Sequence, residues 1–120
     1  MVQALFFEDS RGRSPVLEFM ETLPLATQQK IAAWIDLLEA EGHQLKRPYA
    51  DKLCGALYEL RARFGADRIR IIYFFFHRDK IILLHIFRKK SDRVEARDIA
   101  LAEKRMADYL GRQRDGKPVL

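Results

Sequence analysis

The sequence predicts an α+β domain in which a strand and two helices precede an antiparallel three-stranded meander and a closing helix. Three observations carry that prediction. Apolar residues recur at helical spacing between residues 15 and 41, alternate with a period of two from residue 57 to residue 87, and return to helical spacing after residue 96. The predicted order is β-α-α-β-β-β-α.

Val2 to Phe7 is short, apolar and aromatic-rich, as a strand should be. Ser14-Pro15 reads as a helix cap followed by proline at the first helical position, where no amide donor is needed. Val16, Leu17, Phe19, Met20 and Leu23 give that short helix an apolar face, and Pro24 ends it. A longer helix is expected from Ala26 to Glu41, with Ile31, Trp34, Ile35 and Leu38 on one side and Gly42 as the stop. Pro48 to Leu53 reads as a further helical turn before Gly55. Leu57 to Arg63 then alternates: Leu57, Glu59, Arg61 and Arg63 share one face, Tyr58 and Leu60 the other. After a turn at Gly65, Arg68 to Phe76 and Ile81 to Phe87 are β-branched and aromatic strands joined by a hairpin at His77 to Lys80. Ile99, Ala102, Met106 and Leu110 mark the last helix, Ala96 to Leu110.

With 120 residues the chain is expected to be one domain, spanning 1–110. Residues 111–120, where Gly, Pro and charge replace apolar periodicity, are expected to be a flexible tail. The opening MVQALFFEDS lacks the basic start of a signal peptide, and no apolar run approaches the ~20 residues of a membrane span. One cysteine, Cys54, excludes an internal disulfide framework and fits a reducing cytoplasm. Charge is unevenly divided. Residues 1–60 hold 6 Lys/Arg against 9 Asp/Glu, and residues 61–120 hold 16 against 8, so a net −3 and +8 make the overall +5. A fold that keeps this asymmetry carries one strongly positive surface suited to a polyanion, although solvated surface charge is the plainer account.

The alternating strand puts Glu59 and Arg61 on one side, about 7 Å apart along the chain. Arg68 and Arg70 share a side of the next strand, Arg88-Lys89-Lys90 follow the last one, and Lys52 precedes the first. Converging, these residues would form a cationic concavity holding one carboxylate. Such a site suits RNA cleavage without a metal. The ribose 2′-OH loses a proton and attacks phosphorus, fixed cations stabilise the added charge, and the leaving 5′ oxygen takes up a proton. Glu59 could be the base, or a lysine whose pKa its cationic neighbours lower. The same residues also fit a plain ion-pair network of Glu59 with Arg61 and Arg70.

Other groups point less clearly to chemistry. His43, His77 and His85 have no metal-ligand spacing, and His85, within an apolar strand, fits a hydrogen-bonded core histidine. Cys54 reads as a small packed residue and Trp34 as core. Phe74, Phe75 and Phe76 cannot all face one way, so they imply packing on both sheet faces, or one face covered by a partner or free to stack a base.

The stretch from Lys52 to Met106 resembles the HigB-like, phage-derived toxins of the RelE/ParE superfamily. The matching elements are Lys52-Leu53, Leu57-Tyr58-Glu59-Leu60-Arg61, Arg70 followed by Ile71-Ile72-Tyr73-Phe74-Phe75, Ile81 to His85, and Phe87 with Lys89-Lys90. The segment EDSRGRSPVLEFMETLP also resembles the family's opening, so the likeness extends to about Tyr109. It implies a compact RelE-like sheet flanked by helices and ribosome-dependent cleavage of mRNA with no metal or cofactor. The implied partners are mRNA on the ribosome and a cognate helix-turn-helix antitoxin, in the cytoplasm and without membrane contact. By the same resemblance Arg70 holds the scissile phosphate and Lys89 and Lys90 form the basic segment after the final strand. Glu59, Arg61, Arg70 and Lys90 are the expected catalytic set, with Lys52, Arg68, Arg88 and Lys89 contacting RNA. The chain departs from the family pattern after the lysines, where Ser91-Asp92-Arg93-Val94-Glu95 replaces a segment with threonine and proline, and the tyrosine some RelE toxins use nearby has no counterpart. Two rival functions stay open: a ParE-like inhibitor of DNA gyrase without chemistry, and a phage-derived protein that only binds partners.

Overall fold

The computed structural model describes residues 2–90 and 93–115. Strand β1 (Gln3–Phe6) leads to helices α1 (Pro15–Glu21) and α2 (Leu25–Glu41) and a 3-10 turn, Gly42–Gln44. Strands β2 (Ala50–Cys54), β3 (Leu57–Phe64), β4 (Asp67–Phe76) and β5 (Lys80–Arg88) follow, and α3 (Ala96–Asp115) closes the domain.

The helix signals act where the sequence places them. Pro15 occupies the first turn of α1 and Ser14 precedes it, its carbonyl accepting from the Glu18 amide while its side chain makes no capping bond. Pro24, which ends α1, is also the residue from which α2 starts. Gly42 stops α2 at φ 55, and a Cβ there would lie 3.1 Å from a Val2 methyl, so the position requires glycine for both conformation and space.

The strands form one sheet in the order β1-β5-β4-β3-β2. The β2-β3-β4-β5 ladder is antiparallel, but β1 joins β5 in parallel, Gln3 opposite Lys80 and Phe6 opposite Leu83. This corrects the expected all-antiparallel sheet: alternation reports which face a residue takes, and says nothing of which strand it pairs with or in what direction. A second correction concerns Pro48 to Leu53. Pro48 and Tyr49 lie in a turn, where the Tyr49 and Ala50 amides donate to the Lys46 carbonyl. From Ala50, however, the chain is β2, because its amides and carbonyls complete the outer edge of β3, with Asp51 opposite Glu59 and Lys52 opposite Tyr58. A third is that α3 continues through Gly111 to Asp115, past the expected helix end at Leu110. The rest of the expected tail lies outside the described residues, as do Ser91 and Asp92.

Helices α1 and α2 cover one face of the sheet, α1 on β5 and α2 across β1 and β3. Val16, Met20, Ile31 and Leu38 pack there against Leu60, Ala62, Ile69, Ile71, Tyr73, Ile81 and Leu83. Each of the buried valine, leucine, isoleucine and methionine side chains contributes about 1.5–3 kcal/mol. Helix α3 covers part of the other face, over β4 and β5, where Ile72, Phe74, Ile82, Leu84 and Ala102 form a second core. Phe74 and Phe76 meet Tyr109 on that side, whereas Phe75 stacks on His43 across the sheet. The three phenylalanines thus serve two cores.

Candidate functional site

Helix α3 leaves the far end of its sheet face uncovered, and the strand register decides what stands there. Arg61 of β3 lies opposite Arg70 of β4, and Arg70 opposite Phe87 of β5. One row further, Arg63 lies opposite Arg68, and the Lys89 amide continues the ladder by donating to the Arg68 carbonyl at 2.8 Å. Since side chains two apart on a strand share a face, these residues make two adjacent cationic rows on one surface. The row on the other side is different: Asp51, Glu59, Ile72 and His85.

Glu59 and Arg70 are the buried members. Glu59 is 8% and Arg70 2% exposed, in a surface otherwise open to solvent. Nε of Arg70 lies 3.1 Å from Oε1 of Glu59, yet neither atom has an aligned hydrogen-bond partner. The contact is therefore Coulombic rather than directed, and Arg70 Nη1 reaches only the Ile69 carbonyl, at 3.4 Å. Burial lowers the Arg70 pKa, Glu59 opposes that, and Arg61, Arg68 and Arg63 add to the lowering. A guanidinium starts so high that it remains a cation. Arg70 also borders a hollow that it shares with Arg61 and Arg63.

Lys89 feels the same field. Its pKa is pushed down first by burial and then by Arg70, with Arg61 and Arg68 adding and Glu59 opposing. Of the expected residues, Glu59, Arg61, Arg68, Arg70 and Lys89 come together. Lys90, exposed, stands at the rim, lining a shallow pocket with Phe87, Lys89 and Asp98 beside the start of α3.

Lys52 and Arg88 do not join them. Lys52 is paired with Tyr58, on the face covered by α1 and α2, and its Nζ lies 5.4 Å from the Tyr58 ring centre. Arg88 pairs with Ile69, also on that face, and its Nε is 3.8 Å from Asp67. Proximity in sequence placed both in the expected cluster; strand alternation parts them from it. Arg63 was missing from the expected site set, though its parity with Glu59 and Arg61 announces its face. Trp34 and Tyr49 had no such signal. Trp34 Nε1 donates to the Arg61 carbonyl at 2.9 Å and the Arg61 amide donates to the Tyr49 carbonyl at 2.7 Å, a long-range arrangement no local pattern reveals.

His85 is a packed histidine, as its apolar strand implied. A β-bulge after Leu83 lets both Leu84 and His85 face α3, and His85 Nε2 lies 2.8 Å from Asp98 in the first turn of that helix. Arg105 adds a second tie, donating to the Leu84 carbonyl. Cys54 is half-buried against the α3-side core. Among the described residues, no group of three or more His, Cys, Asp or Glu is placed to hold a metal ion, and no helix is long and apolar enough to cross a membrane.

Fold and site together define a small α+β domain with a mixed five-stranded sheet, three helices and an open cationic sheet face around one buried carboxylate. Residues 18–107 match the family model described as Phage derived protein Gp49-like (DUF891), so the chain belongs to that Gp49-like family, a RelE/HigB-like toxin family. No curated protein matches the chain.

Proposed function

We propose that this chain is the toxin of a toxin–antitoxin pair and that it cleaves mRNA on the ribosome. The observation that supports the reading most is the paired register of Arg61 with Arg70 and of Arg63 with Arg68, with Lys89 beside them and Glu59 against Arg70. Four guanidiniums on one rigid surface can hold a phosphodiester and the extra negative charge that develops on it.

In this reading Lys89, whose pKa its surroundings lower, takes the proton from the ribose 2′-OH. The 2′ oxygen attacks phosphorus, Arg61 and Arg70 stabilise the phosphorane, and the bond to the 5′ oxygen breaks. Lys90 gives that oxygen its proton. The products are a 2′,3′-cyclic phosphate and a 5′-hydroxyl end, so atoms and protons balance. Glu59 acts by holding Arg70 rather than by touching the substrate. A cognate helix-turn-helix antitoxin would neutralise the protein.

The test is induction of the chain in growing cells, followed by primer extension on abundant messages. New 5′ ends within coding regions are expected, and Arg61→Ala or Lys89→Ala should remove them and relieve growth arrest. DNA breaks without new mRNA ends would instead favour a gyrase inhibitor. Arg70 is a poorer choice for this test, because its burial makes it part of the fold as well as of the site.

A further inference from the structure

The cationic rows end in a hollow of about 300 Å³ lined by Trp34, Pro48, Tyr49, Arg61, Arg63 and Arg70. Its wall is aromatic. Tyr49 is 42% exposed, and the Trp34 and Tyr49 rings lie 6.3 Å apart at 59°. Both residues are tied to the backbone of Arg61, Trp34 through its indole N–H and Tyr49 through its carbonyl. These bonds hold the Trp34 indole and the backbone of Tyr49 beside the Arg61 backbone. Arg70, nearly fully buried, also lines the hollow, with its Nε set 3.1 Å from the Glu59 carboxylate. No carboxylate lines the hollow.

A flat ring, several cations and no acid match a ligand that alternates planar aromatic groups with negative charge. Single-stranded RNA is such a polymer, and its unstacked bases rest on aromatic side chains and arginine planes. We infer that this hollow seats one nucleobase of single-stranded RNA against Tyr49, next to the phosphate gripped by Arg61 and Arg70. The inference rests on the ribonuclease reading for the identity of the polymer and adds to it a position where a base is held. A paired base cannot enter, so the hollow selects for unpaired RNA. An acidic protein segment would satisfy the cations but would leave the Tyr49 ring without a planar partner.

The chain's one tryptophan lies in the hollow, so its fluorescence reports occupancy directly. The probe is a short single-stranded RNA with 2′-O-methyl riboses, which cannot be cleaved by 2′-OH attack. Its abasic counterpart has the same phosphates and no bases. Base-bearing RNA should quench Trp34 saturably and bind wild type about five- to a hundredfold more tightly than the abasic chain does. Tyr49→Ala should remove most of that difference, and Tyr49→Phe, which keeps the ring, should hold the Kd within about twofold. Equal binding of base-bearing and abasic chains by wild type overturns the inference without recourse to any variant. So does an unchanged Kd in Tyr49→Ala, or equal quenching by a poly-glutamate peptide. Base-dependent binding without new mRNA ends in cells would sink the ribonuclease reading and leave the hollow standing. Message cleavage with no preference for bases would do the reverse.

Discussion

The two faces of the central strand β4 show what divides this molecule. Toward α1 and α2 it presents Ile69, Ile71, Tyr73 and Phe75, all packed into a core. Toward α3 it presents Ile72, Phe74 and Phe76 over one half and Arg68 and Arg70 over the other. The first face is covered throughout and contributes stability. The second is covered only where it is apolar, and its charged half concentrates like charges that repel one another. That repulsion is tolerated because the covered face and the α3-side core hold the strands in register, so the exposed cations need not stabilise anything themselves. The same division separates Lys52, on the covered face, from the arginines on the other side of the sheet.

The sharpest way to probe the contrast is to damage each face equally. Ile71→Ala on the covered face should cost about 2–5 kcal/mol in urea denaturation, whereas Arg61→Ala should change stability by no more than about 0.5 kcal/mol. Equal losses would mean that the cationic half is structural after all.

Arg70 crosses the division. Arg70→Met leaves the Glu59 carboxylate nearly buried without its partner and should destabilise the fold by about 3 kcal/mol. Adding Glu59→Leu should restore most of that loss, and the double-mutant cycle would measure it. A stable Arg70→Met variant would show that the pair does not hold the strands.

Ionic strength offers a finer comparison. If RNA lies across the cationic rows, Arg63→Ala should lower the slope of log affinity against log salt by about 0.7, the value for one phosphate contact on a single strand. Lys52→Ala, through the sheet, should leave the slope unchanged. A similar drop for both would place RNA on both faces.

The smallest expected effect concerns how α3 is fastened. Burial pushes the His85 pKa down, and the hydrogen bond to the Asp98 carboxylate only partly offsets it. The unfolded chain therefore binds this proton more readily than the folded one, so stability rises with pH across the window. The contribution is complete above about pH 6.5, the unfolded value, and is lost as pH falls through the lower folded value. His85→Gln should flatten the dependence of the melting temperature on pH in that window. An unaltered pH profile would remove His85 from the account.

Much of the candidate site was legible from alternation. Glu59, Arg61 and Arg63 declare a common face, as do Arg68 and Arg70, because a strand exposes every second residue on the same side. Lys52 and Arg88 show the limit of that reading. Each is near the cluster in sequence, but their facing depends on the register of β2 with β3 and of β5 with β4.

The amino-acid order by itself determined where helices and strands lie over most of the chain, since prolines, Gly42 and the change of period act within a few residues. It also determined that cations gather in the second half. Only the tertiary structure decided that β1 runs parallel to β5, that residues 50–54 become a strand, that Arg61 stands beside Arg70, and that Trp34 and Tyr49 wall the hollow next to them. The physical reason is that strand pairing and hollows are made by hydrogen bonds and packing between residues far apart in the chain. A local pattern can show which way a side chain points, but it holds no record of what the side chain will meet.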